Sequence, residues 1–119
     1  MSDSPVSAHE LPAERVAELA AEGAQLIDVR RDYEFEAGRI GGARQIEMND
    51  LTANAETIDR DRPVIFYCRT GNRSGMAADA FREAGYEAYN LAGGIEGWVA
   101  EGRELDPEGG VVRPPLPAS

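Results

Sequence analysis

The run Pro63-Val64-Ile65-Phe66-Tyr67 constrains the fold more than any other segment, because it is continuously apolar and leads directly into Cys68-Arg69-Thr70-Gly71-Asn72-Arg73-Ser74. An uninterrupted apolar run with β-branched and aromatic members predicts a strand covered on both faces, as in a parallel sheet with helices above and below. The turn after it carries one glycine, two arginines and three hydrogen-bonding side chains. From Ser74 to Ala84 the pattern changes: Ala77, Ala80, Phe81 and Ala84 fall at helical spacing, and Gly85 stops the helix.

The flanking sequence repeats this alternation. Pro12 to Glu22 predicts a helix with Ala13, Val16, Ala17 and Ala20 on one face, Pro12 in the first turn and Gly23 past the end. Gln25 to Val29 predicts a short strand, Arg31 to Ala37 one or two helical turns, and Ala43 to Ile46 a further short strand after Gly38, Gly41 and Gly42. Leu51 to Ile58 is weakly helical. Tyr86 to Leu91 predicts another strand, followed by Gly93-Gly94 and a short helix carrying Trp98. Strands alternating with helices predict an α/β domain with a mainly parallel sheet and right-handed crossovers. Residues 1–5 form an N-terminal extension, and from Asp106 the prolines and glycines mark a C-terminal tail, 106–119, that is extended or disordered.

Composition narrows the chemistry. With 119 residues the chain fits a single domain able to bury one core. One cysteine excludes an internal disulfide and any zinc site of paired cysteines, and the lone His9, read as an ordinary surface residue, offers neither a metal cluster nor a cysteine–histidine dyad. A net charge of −10 disfavours nucleic acid and anionic membranes, which select for a basic face. No stretch has the apolar length of a membrane helix, and the N-terminus lacks the features of a signal peptide, so a cytoplasmic location is expected. All twelve cationic residues are arginine, and against so acidic a background Arg69 and Arg73 make a local positive island suited to a small anion.

In an open parallel sheet, ligands bind beyond the carboxyl ends of the strands, where Cys68 lies. Backbone N–H groups from Arg69 to Ser74 can curl around the sulfur, Gly71 permits the tight curvature, and the following helix adds partial positive charge. Each favours thiolate over thiol, so Cys68 is a candidate nucleophile. A lone cysteine at a strand end can also be a small buried hydrophobe, but two arginines would be costly neighbours for that role. Arg73 is expected to point toward the pocket and bind anion oxygens; Arg69 is expected there or at the solvent rim. Thr70, Asn72 and Ser74 can each offer hydrogen bonds. Asp28 and Arg30 read as a pair capping the strand-to-helix turn, with a contribution to the pocket as the alternative.

The loop from Cys68 to Ser74 resembles the active-site loop of single-domain rhodanese (sulfurtransferase) proteins. Three further segments agree in order: Leu26-Ile-Asp-Val-Arg30, Gly38-Arg-Ile-Gly-Gly-Ala43 and Asn90-Leu-Ala-Gly-Gly-Ile-Glu-Gly-Trp98. The resemblance implies a rhodanese-like domain over residues 6–105, with a sheet of about five strands flanked by helices on both faces. It also implies a sulfurtransferase, requiring no metal or organic cofactor, in which Cys68 takes a sulfane sulfur from thiosulfate or a persulfide donor and passes it to an acceptor. Lacking a second cysteine, the chain must use an external thiol, cyanide or a protein acceptor. Where the family usually has His-Ile-Pro-Gly-Ala, this chain has Arg39-Ile-Gly-Gly-Ala43.

Two other functions compete with this reading. A Cdc25-like phosphatase or arsenate reductase would resemble Cys-x5-Arg, whereas only four residues separate Cys68 from Arg73. A persulfide carrier or regulatory rhodanese module without turnover would have the same sequence. The expected assembly is a monomer or weak homodimer.

Overall fold

Five parallel strands in the order β1-β5-β4-β2-β3 form the centre of the computed structural model, which describes residues 9–114. The strands are β1 (Glu10–Leu11), β2 (Gln25–Asp28), β3 (Arg44–Gln45), β4 (Val64–Tyr67) and β5 (Ala88–Leu91). The helices are α1 (Ala13–Ala21), α2 (Asp32–Ala37), α3 (Asn72–Glu83) and α4 (Gly94–Ala100), with two 3-10 turns at Met48–Asp50 and Ala55–Thr57. The α/β class and the parallel sheet agree with the sequence reading, and the five strands with the number the resemblance implies.

β4 lies at the centre, paired with β2 on one side and β5 on the other, and its four residues are fully buried. Alternation along it divides the core. Val64 and Phe66 pack with Ala77, Ala78 and Phe81 of α3, while Ile65 and Tyr67 pack with Val16 of α1 and Ile95 and Trp98 of α4. Helices therefore cover both faces, which is why an uninterrupted apolar run is stable here. Burying each such side chain contributes about 1.5–3 kcal/mol.

Three features depart from the sequence reading. The first strand was not expected, and it adds Glu10 and Leu11 to the edge of the sheet, in register with Asn90 and Leu91. α3 starts at Asn72 rather than Ser74, because Gly71 at its N-cap takes a φ of +105° and lets the helix begin directly after the turn. The weakly helical 51–58 segment holds only turns and one 3-10 turn, Ala55–Thr57, with another, Met48–Asp50, just before it. In the tail, Asp106 bridges Arg39 in antiparallel fashion, the Val111 N–H donates to the Ala37 carbonyl, and Val112 packs on the α1 and α4 side of the core. The described part of the tail is docked rather than free. The 1–5 extension and the end of the tail lie outside the described residues. Among those described, no helix is long and apolar enough to cross a membrane.

Candidate active site

Cys68 follows β4 directly and continues its alternation, joining Val64 and Phe66 in the cluster on the α3 face. The sheet thus delivers the thiol to its carboxyl edge, 1% exposed, at the mouth of the turn leading into α3. The left-handed conformation of Gly71 aims its N–H at the sulfur, 3.1 Å away. One helical turn later the Ser74 hydroxyl lies 3.3 Å from the same atom. Burial pushes the Cys68 thiol up, but hydrogen bonds from the Ser74 hydroxyl and from the N–H groups of Ser74, Gly71 and Thr70 outweigh it. The net result is a thiol held below its ordinary range.

The opposite side of the loop explains why the amides face inward. The Ile95 N–H donates to the Cys68 carbonyl at 2.9 Å, and the Glu96 N–H donates to the Arg69 carbonyl at 3.1 Å. The first turn of α4 therefore occupies the carbonyls and leaves the loop's N–H groups to the sulfur. Gly94 permits this approach. It has a φ of +61°, and a Cβ there would stand 2.6 Å from the Cys68 carbonyl oxygen and closer still to that of Arg69.

The two loop arginines are engaged by carboxylates. Arg69 pairs with Glu96 of α4 at the solvent rim, one of the two positions expected for it. Arg73, expected to point toward the pocket and bind anion oxygens, is paired with the fully buried Glu34 of α2, with Nη1–Oε1 and Nη2–Oε2 both at 3.5 Å. Glu34 also accepts from the Arg31 N–H at 3.0 Å, so α2 and α3 meet at this carboxylate. Arg73 also lines a groove of about 330 Å³ with Arg31, Glu47, Asn49, Met76, Val29 and Met48. Val29 and Met48 belong with Cys68 to one hydrophobic cluster, so the groove opens on the same side of the sheet as the thiol, although Cys68 does not itself line it. Thr70 and Asn72 are exposed, Thr70 acting on the sulfur through its backbone.

Asp28 and Arg30 form a fully buried pair, with Nε–Oδ1 at 2.9 Å and Nη2–Oδ2 at 2.6 Å. Arg30 Nη2 also donates to the Gly38 carbonyl at 2.8 Å, and the guanidinium carbon lies 5.7 Å from the centre of the Tyr67 ring. Tyr67 packs in the cluster opposite the thiol. The hydrogen bonds of the pair are thus within the strand-to-helix turn, as the capping reading expected, while Arg30 also feels the Glu34 carboxylate that holds Arg73. Burial, and then the adjacent Asp28 carboxylate, push the Tyr67 hydroxyl above its ordinary range.

Three site residues were not anticipated: Glu34, Asn90 and Glu10. Asn90 Oδ1 lies 2.5 Å from the Ser74 hydroxyl, while its Nδ2 donates to the Gly71 carbonyl at 3.0 Å and to the Glu10 carboxylate at 2.9 and 3.0 Å. Only the placement of β1 beside β5 could have revealed this. Among the described residues no cluster of three metal-ligating side chains occurs.

A rhodanese-like domain family model matches residues 12–101. The uncharacterised protein YqhL of Bacillus subtilis is 49% identical over 76 residues, covering 63% of this chain and 60% of that protein; the chain thus spans less than two thirds of that relative. The thiosulfate sulfurtransferase GlpE of Pseudomonas aeruginosa is 36% identical over 86 residues, covering 71% of this chain and 78% of that one. Among solved structures, the crystal structure of a rhodanese-related protein from Thermoplasma volcanium superposes with a TM-score of 0.76 at 26% identity, covering 82% of this chain and 96% of that one.

Proposed function

The chain belongs to the rhodanese-like domain family, and on that premise we propose that it is a sulfurtransferase that carries a sulfane sulfur on Cys68. The observation that carries this reading is the ring of donors on one buried sulfur: Gly71 N–H at 3.1 Å and Ser74 hydroxyl at 3.3 Å, with a shifted thiol as the result. Donors preorganised around an anionic sulfur serve both the attacking thiolate and the terminal sulfur of a persulfide.

In the first half-reaction the Cys68 thiolate attacks the outer sulfur of thiosulfate. A new S–S bond forms, the bond between the sulfane and sulfonate sulfurs breaks with its electron pair leaving on sulfite, and the enzyme becomes an anionic persulfide. In the second, an external thiolate or cyanide attacks the terminal sulfur and regenerates the Cys68 thiolate. The groove lined by Arg31 and Arg73, which outnumber its one carboxylate, Glu47, offers guanidinium groups to an anionic donor. Only four residues separate Cys68 from Arg73, one fewer than in a Cys-x5-Arg loop, and this shorter loop disfavours the phosphatase reading.

Enzyme and carrier are separated by turnover. With thiosulfate and cyanide in excess, the protein should form many equivalents of thiocyanate, and Cys68→Ser should form none. A single equivalent that then stops would make it a carrier. Thiocyanate formation by Cys68→Ser at the native rate would end the proposal.

A further inference from the structure

Ser74 has one hydroxyl proton and two neighbours that compete for it. The Cys68 sulfur is 3.3 Å away and Asn90 Oδ1 is 2.5 Å away. The Asn90 amide is oriented by its surroundings: Nδ2 faces the Gly71 carbonyl and both Glu10 oxygens, all acceptors, so the carbonyl end must face Ser74. Asn90, Ser74 and Cys68 are all nearly or fully buried, so no exchange with bulk water relieves the competition. We propose that Asn90, held by Glu10, is a positioning residue that decides whether the Ser74 proton goes to the amide carbonyl or to the Cys68 sulfur.

While Cys68 carries its own proton, Ser74 donates to Asn90 and its oxygen lone pair is free to accept from the thiol. When the thiol ionises, the Ser74 proton must turn from Asn90 to the sulfur. The negative charge on Glu10 polarises the amide through Nδ2 and makes Oδ1 a stronger competitor. Glu10 therefore restrains ionisation of Cys68 through two intervening side chains, and β1 exists at the sheet edge in register with Asn90 to place it there.

Other charges surround this chain of bonds. Arg69 and Arg73 flank the sulfur on its own loop, paired with Glu96 of α4 and Glu34 of α2. Arg31 lies by the groove next to Arg73. Near Glu10, a second groove is lined by His9, Asp79 and Arg82, the last two paired with one another. A bare field effect would be felt from Asp79 as well as from Glu10, and this separates the two explanations.

The proposal deepens the sulfur-carrier reading and rests on it, but alkylation of Cys68 by iodoacetamide reports the thiol without any sulfur donor, so failure of one is distinguishable from failure of the other. The rate would be followed against pH for the native protein, Glu10→Gln and Asp79→Asn. Glu10→Gln should shift the profile to lower pH and react roughly threefold faster below the native midpoint, the size of one modest hydrogen-bond change. Asp79→Asn should shift it less. In a Ser74→Ala background the Glu10→Gln shift should vanish, and in Ser74→Thr, which keeps a hydroxyl, it should persist. An unshifted Glu10→Gln profile, a shift equal to that of Asp79→Asn, or one undiminished in Ser74→Ala would overturn the proposal. Should Ser74→Ala fail to fold, the comparison of Glu10→Gln with Asp79→Asn still decides.

Discussion

Arg73, at the start of α3, reaches across to the fully buried carboxylate of Glu34 in α2, with its Nη2 3.5 Å from Oε2. This contact joins the cysteine loop to the segment after β2 and leaves one basic side chain with two tasks, compensating a buried charge and lining the groove.

Replacing Arg73 by Ala should therefore cost stability as well as substrate affinity. Glu34 would keep the Arg31 N–H but lose its cationic partner, at about 1–3 kcal/mol. Urea unfolding should show that loss, and the thiosulfate concentration giving half-maximal rate should rise. Native values for both would show that the contact carries neither task.

Gly94→Ala is predicted to lose about 2–4 kcal/mol, from a left-handed backbone and from a Cβ pressed against the Cys68 carbonyl. Because the obstacle is backbone, relief requires the loop to move, so the N–H groups around the sulfur should be misplaced. Thermal unfolding reads the first effect and slower Cys68 alkylation at neutral pH the second.

Asp28→Ala should be among the most destabilising single changes, at about 3–5 kcal/mol, because it strands the Arg30 guanidinium in the interior. If the protein is studied well below its lowered melting temperature, the pH profile of Cys68 alkylation should keep its native midpoint. A displaced midpoint would give the pair a role at the sulfur.

The depressed Cys68 thiol also predicts a pH dependence of stability. Between its folded value and the unfolded value near ~8.5, the unfolded chain binds more protons than the folded one, so stability rises with pH through that window. This contribution is complete above the unfolded value and disappears as pH falls through the folded one. Urea unfolding of the native protein and Cys68→Ser across the window should show the slope in the first and its loss in the second.

Most of the scaffold was legible in the sequence because burial on both faces leaves a signature. Val64 to Tyr67 could be read as a central strand, and the alanines of α3 as a packed face, from pattern alone. β1 escaped notice because two residues have no period, and its partners in β5 are 80 residues distant. The docked tail was read as extended or disordered because Pro107, Gly109 and Gly110 carry no periodicity, while the contacts of Asp106 and Val111 with Arg39 and Ala37 are set by tertiary packing. In the site, Cys68 and its loop were legible because nucleophile, turn and helix start are contiguous. Glu34, Asn90 and Glu10 were not, since polar residues at element ends read as ordinary until the fold brings Glu34 to Arg73, and Glu10 and Asn90 to Ser74 and Gly71.

The central claim is that Cys68 accepts a sulfur atom, and intact-mass analysis after incubation with thiosulfate tests it most directly. The native protein should gain the mass of one sulfur atom, release one equivalent of sulfite, and return to its starting mass when a thiol or cyanide is added, while Cys68→Ser stays unchanged. A native protein that gains no sulfur from thiosulfate or from other sulfane donors, or a Cys68→Ser variant that gains it equally, would contradict the account.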